Sequence, residues 1–137
     1  MPTIPDSNVV LDLIREGQAW QAWSSRWFKH CLQTGGLVIN QVVFAECGQH
    51  HGSLNAYADL LENLGLEREE IPWEAAYLAG QAQRIYRQSG GMRERVLADF
   101  LIGAHAQVKG FAVLTRDQNR YRNYFPQLQI IAPDTHP

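Results

Sequence analysis

A chain of 137 residues, 45% of them apolar, is long enough to close one hydrophobic core without disulfides or metal staples. Its formal charge of −2 excludes a general basic surface, so recognition of a polyanion would have to rest on local arginines or on acids neutralised by metal. The two cysteines, Cys31 and Cys47, fall in helical patterns and predict reduced thiols. No basic start leads into an apolar run, and none of the runs approaches the ~20 residues needed to span a bilayer, so we expect a soluble, cytoplasmic protein with no membrane partner.

Thr3 to Asp6 reads as a short strand, followed by a helix in which Val9, Val10, Leu13 and Ile14 recur at helical spacing and Ser7 or Asn8 is available as cap. Trp20, Trp23, Trp27 and Cys31, with Phe28 beside them, mark a second amphipathic helix that stops at Gly35 and Gly36; Leu37 to Ile39 is then a continuous apolar strand. A third helix starts near Gln41 and carries Glu46 to the break at His50 to Gly52. Ser53 caps a fourth, with Leu54, Tyr57, Leu61 and Leu64, to complete a helical hairpin.

Leu66 to Ile71 reads as a weak strand whose charges suit a sheet edge, and Pro72 opens a helix bearing Leu78, Ala82, Ile85 and Tyr86 that ends at Gly90 and Gly91. Leu97, Leu101, Ile102, His105 and Val108 form one face of a helix closed by Gly110, Phe111 to Thr115 is a strand, and Leu128 to Ile131 is the last. No repeat or linker interrupts this order, so one domain over residues 1–137 is expected. The alternation predicts an α/β fold, an open and mainly parallel sheet with helices on both faces and right-handed crossovers.

In such a sheet, residues just after a strand and at the start of the next descending helix share the carboxyl edge, where ligands bind. Asp6 ends the first strand, Glu46 lies early in the helix after the second, Asp99 is in the first turn of the helix before the Phe111 strand, and Asp117 follows that strand. Four carboxylates at one edge repel one another unless protons or cations compensate them. With no soft ligand close in sequence, Mg²⁺ or Mn²⁺ suits the set, and phosphodiester hydrolysis is the favoured chemistry.

The stretches Ile4-Pro5-Asp6-Ser7-Asn8-Val9-Val10-Leu11-Asp12-Leu13, Ala98-Asp99-Phe100-Leu101-Ile102-Gly103-Ala104-His105-Ala106 and Leu114-Thr115-Arg116-Asp117, with Glu46 after an apolar strand, resemble the PIN domain. Over its whole length the chain resembles the VapC-type toxins of bacterial toxin–antitoxin (VapBC) pairs. The resemblance implies a PIN-like three-layer α/β/α fold with about five strands. It also implies a Mg²⁺- or Mn²⁺-dependent endoribonuclease, commonly a homodimer, restrained by a cognate antitoxin and leaving 5′-phosphate and 3′-hydroxyl ends. By matching position, Asp6, Glu46, Asp99 and Asp117 are its catalytic and metal-binding acids, with Ser7, Asn8 and Thr115 as supporting polar groups. Two features depart from the pattern: Pro5 lacks an amide donor where the first strand pairs, and the Leu66 segment carries charge.

Arg93 and Arg95 before Asp99, and Arg116, Arg120 and Arg122 around Asp117, are candidates to hold phosphates, with Arg116 and Arg95 the first choices, against the alternative of an ordinary solvated surface. Asp12 is expected to face solvent beside Arg15 and Glu16, His105 to be a packing residue, and His50 and His51 to mark a helix end. The tryptophan stripe suits a core or, better, an interface. A non-catalytic RNA- or protein-binding module is the alternative function. A small-molecule phosphatase is weaker, because position 8 is Asn and no Asp-x-Asp pair follows the first strand.

Overall fold

The computed structural model describes residues 1–92 and 96–137. In chain order it contains β1 (Thr3–Pro5), α1 (Ser7–Ile14), α2 (Gln21–Thr34), β2 (Leu37–Ile39), α3 (Gln41–Cys47) and α4 (Leu54–Asn63). There follow β3 (Leu66–Arg68), α5 (Trp73–Gln88), α6 (Val96–Lys109), β4 (Ala112–Leu114), the single turn α7 (Asn119–Arg122) and β5 (Ile130–Ile131). The strands pair in the order β3-β2-β1-β4-β5, every pair parallel, between two helical layers.

The three central strands are buried at every residue, whereas β3 buries only Leu66 and exposes Glu67 and Arg68, as a charged edge strand should. Gly36 at φ +90° and Gly110 at φ +71° turn the chain from α2 into β2 and from α6 into β4 through the left-handed region that other residues avoid. Pro5 lies in β1, at the centre of the sheet. The Thr3 amide donates to Gly36 O on the β2 side and the Asp6 amide to Leu114 O on the β4 side. Amides alternate along a strand, so the donor missing at Pro5 is lost toward β2, and the β1–β2 register is reduced to the one pair Thr3 with Leu37.

The apolar patterns of α5 and α6 differ from their expected faces for one reason: α6 is packed on several sides at once. It touches β1 and β4 of the sheet and α3, α5 and α7 around it. Leu97, read as core, is half-exposed, while Phe100, Ile102, Gly103, Ala104, His105 and Ala106 are all buried. On α5 the stripe that meets it is Ala75, Ala79 and Ala82, small enough for close helix approach, and Ile85 is left half-exposed.

The α2 aromatics are shared between the core and the chain's own C-terminal segment. Trp23 and Phe28 are buried in the main cluster, and Trp23 Nε1 donates to His136 O at 2.7 Å. Trp27 meets the His136 ring edge-on at 5.0 Å, and Arg26 donates to Pro137 O at 2.6 Å, so of the expected interface stripe Trp20 is the exposed member. No helix among the described residues is long and apolar enough to cross a membrane.

Candidate active site

Asp6 stands directly after β1, at the N-cap of α1, and is 1% exposed. The first-turn amides of α1 donate nothing to its side chain. Its Oδ2 instead accepts from Thr115 Oγ1 at 2.9 Å and from the Tyr121 hydroxyl at 2.8 Å, with Asn8 Nδ2 at 3.4 Å. Because β4 lies beside β1, the residue after each strand meets the other: Thr115 Oγ1 also receives the Asp117 amide at 3.0 Å. Ser7 and Asn8, each a possible cap by sequence, are used differently. Ser7 Oγ donates to Glu46 Oε1 at 2.6 Å, and Asn8 Oδ1 accepts from the Arg116 amide at 3.3 Å.

Glu46 is delivered by α3, whose cap Asn40 accepts from the Val42 and Val43 amides. Asp99 is in the first turn of α6. Arg120 joins the remaining two acids: its Nη1 is 3.6 Å from Asp99 Oδ1 and its Nε 3.3 Å from Asp117 Oδ2. At the same carboxyl edge, a cavity of about 420 Å³ opens between the ends of β2 and β3, lined by Asn40, Phe44 and Arg68 among others, with the Arg68 guanidinium 4.8 Å over the Phe44 ring.

The acids share one electrostatic field. Burial pushes the Asp99 carboxyl up to about 7, the negative charges of Asp6, Glu46 and Asp117 add to the rise, and Arg120 opposes it. A carboxyl whose folded pKa lies above its unfolded value near 3.8 contributes stability below that value and loses it as pH rises through about 7. In EDTA at pH 8, Asp99→Asn should therefore be more stable than the parent by on the order of 2–4 kcal/mol, with the gap closing toward pH 4. Urea unfolding at both pH values measures it, and a pH-independent gap would refute the shared field.

Tyr121 escaped the sequence reading, which saw in its segment only arginines. Its ring is wholly buried, and burial together with the Asp6 and Asp99 charges holds the phenol well above its usual pKa, so it is a lasting donor to Asp6. It reaches that position because α6 carries Gly103 opposite: an added Cβ there would stand 2.7 Å from Phe125 and 3.2 Å from Tyr121.

Among the described residues, no three His, Cys, Asp or Glu side chains are disposed to hold a metal as they stand. The charge is instead met by Arg120, and Ser7 holds Glu46. The donor chemistry nevertheless fits a hard divalent cation, being all carboxylate oxygen with a guanidinium standing in for the positive charge. Cys47 offers no soft alternative: burial first, then the charges of Glu46 and Asp6, push its thiol up to about 12, and its Sγ donates to Ser7 O.

A family model for the PIN domain matches residues 3–126. The chain belongs to the PIN domain family. Among solved structures, it is similar to VapBC2 of Rickettsia felis bound to promoter DNA, with a TM-score of 0.72, 15% identity, and 96% of this chain and 98% of that one covered. VapBC-1 of nontypeable Haemophilus influenzae gives 0.71, 17%, and coverage of 96% and 98%. VapC20 of Mycobacterium tuberculosis, described as a toxin that cleaves the sarcin-ricin loop, gives 0.59, 16%, and coverage of 86% and 92%. At these identities the likeness is one of fold. The comparison with curated proteins gave no match.

In this PIN chain two further residues lie elsewhere than the sequence suggested. Asp12, expected in solvent, is 1% exposed; it accepts from Ser24 Oγ at 2.6 Å and stands 3.0 Å from Arg116 Nε. Helix α2 packs over that side of α1 and shuts out water. Arg116 is thus engaged with Asp12, an ion pair off the line of a hydrogen bond. Arg93 and Arg95 lie outside the described residues. His105 is fully buried, its Nδ1 is 3.1 Å from Asn40 Nδ2, and burial lowers its pKa, which suits a neutral packing residue that steadies the α3 cap.

Proposed function

We propose that this PIN protein is a Mg²⁺- or Mn²⁺-dependent endoribonuclease, the VapC-type toxin of a toxin–antitoxin pair. The observation that supports the reading is Asp99, whose carboxyl is pushed up to about 7 by burial first and then by the charges of Asp6, Glu46 and Asp117. These four acids would hold the cation. Bound there, it would supply an activated water and offset charge on the scissile phosphate. Thr115 and Tyr121 orient Asp6, Ser7 orients Glu46, and Asn8 ties the loop after β4 to α1.

A similar structure from Klebsiella pneumoniae is described as a toxin–antitoxin complex, which supports a cognate antitoxin as partner. We further infer a single domain working in the cytoplasm as a homodimer, on RNA lying along the edge beside the Phe44 and Arg68 cavity. A second reading, a non-catalytic RNA- or protein-binding module, is favoured by the same Arg120, which already balances two of the acids.

Incubating the antitoxin-free protein with total cellular RNA separates them. With Mg²⁺ or Mn²⁺ we expect discrete cuts, lost in EDTA and in Asp99→Asn. RNA left intact by a folded protein that binds it without metal would establish the module instead.

A further inference from the structure

The Arg120 guanidinium occupies the place where positive charge is needed. It spans two carboxylates of different origin, Asp99 from α6 and Asp117 from the loop after β4. Among the described residues, no other Lys or Arg is paired with the four acids: Arg116 pairs with Asp12 and Lys109 with Glu69. Burial works against the charged guanidinium, but Asp6, Asp99, Tyr121 and Asp117 outweigh it. Arginine keeps its charge at any working pH, so it can leave these acids only by moving.

Movement is open to it. Its side chain is 38% exposed, and the backbone beneath is pinned by the neighbouring Tyr121, so the head can swing without the turn unfolding. Asp99 and Asp117, if engaged by a divalent cation, would no longer be free to pair with Arg120, and the cation's charge would repel the guanidinium. The long side chain, still rooted at the site, then presents its donors to whatever anion lies there.

We propose that Arg120 is an internal counter-ion of the acid cluster, which a divalent cation displaces and which then binds an RNA phosphate. The proposal rests on the metal-dependent reading above. Coupling of this kind is reciprocal: whatever Arg120 contributes to the metal-free site, the cation must overcome. It also separates a counter-ion from a structural prop. Loss of a prop weakens metal and RNA binding together, whereas loss of a counter-ion tightens the first and weakens the second.

Calorimetric titration of Mn²⁺ into the RNA-free protein is the direct test, with Arg120→Gln, Arg120→Lys and the remote charge control Lys29→Gln, each checked for folding by circular dichroism. Arg120→Gln should bind Mn²⁺ about tenfold tighter than the parent while its KM for RNA rises severalfold, and Lys29→Gln should bind Mn²⁺ like the parent. Arg120→Lys, whose single ammonium cannot span both acids, should gain about threefold and stands in if the Gln variant fails to fold. If the parent binds Mn²⁺ and cleaves RNA but neither Arg120 variant binds tighter, the counter-ion is refuted and the nuclease stands. If neither parent nor variants bind Mn²⁺, both fall.

Discussion

Asp6→Asn is expected to lower metal-dependent RNA cleavage by about three orders of magnitude in kcat, with the fold retained. Asparagine is nearly isosteric with aspartate and keeps a carbonyl oxygen for Thr115 Oγ1 and the Tyr121 hydroxyl, so the hydrogen bonds that anchor position 6 survive. What it loses is the charge, at the most buried of the four acids and the one on which β1, β4 and α7 converge. Steady-state cleavage of an RNA substrate beside an unfolding curve measures both halves. A rate within tenfold of the parent would make Asp6 an anchor for Tyr121 and remove it from the chemistry.

Asp12→Ala is expected to destabilise the protein by about 3 kcal/mol, the one large loss of stability we predict. The substitution strips Arg116 of its counter-ion while the Nε stays buried, and it leaves Ser24 Oγ, fully buried, without its acceptor. Arg116 lies between Thr115 and Asp117, and its amide is held by Asn8, so the disturbance reaches the acid cluster. Pairing Asp12→Ala with Arg116→Met removes both charges and should recover more than half of the loss in urea unfolding. A single-variant cost under about 1 kcal/mol would show that the pair is screened like a surface salt bridge.

These two residues illustrate how far the sequence could be read. Asp6 was placed at the carboxyl edge because it ends an apolar strand and precedes a helix, a local signal combined with the handedness of crossovers. Asp12 was misplaced because its neighbours Arg15 and Glu16 are charged, and nothing local shows that α2 returns over it. The Asp12 partners are Ser24, 12 residues on, and Arg116, far along the chain. Likewise the face expected on α6 assumed one buried side, whereas this helix, packed by sheet and neighbouring helices, buries the continuous run Ile102 to Ala106 and leaves Leu97 half-exposed.

The amino-acid sequence by itself determined the order of the main strands and helices, the mainly parallel sheet, the edge strand at Leu66, and the positions of Asp6 after β1 and of Asp99 in the first turn of α6. Periodicity, capping residues and glycine stops act within a few residues of one another, and crossover rules carry them to topology. Only the tertiary structure decided that Tyr121 reaches Asp6 from 115 positions away, that Arg120 bridges Asp99 and Asp117, that Arg116 turns to Asp12, and that the C-terminal segment closes over Trp23 and Trp27. Such partners are chosen by packing and by the need to satisfy buried polar groups once the chain has closed, and neither leaves a mark on the residues next door.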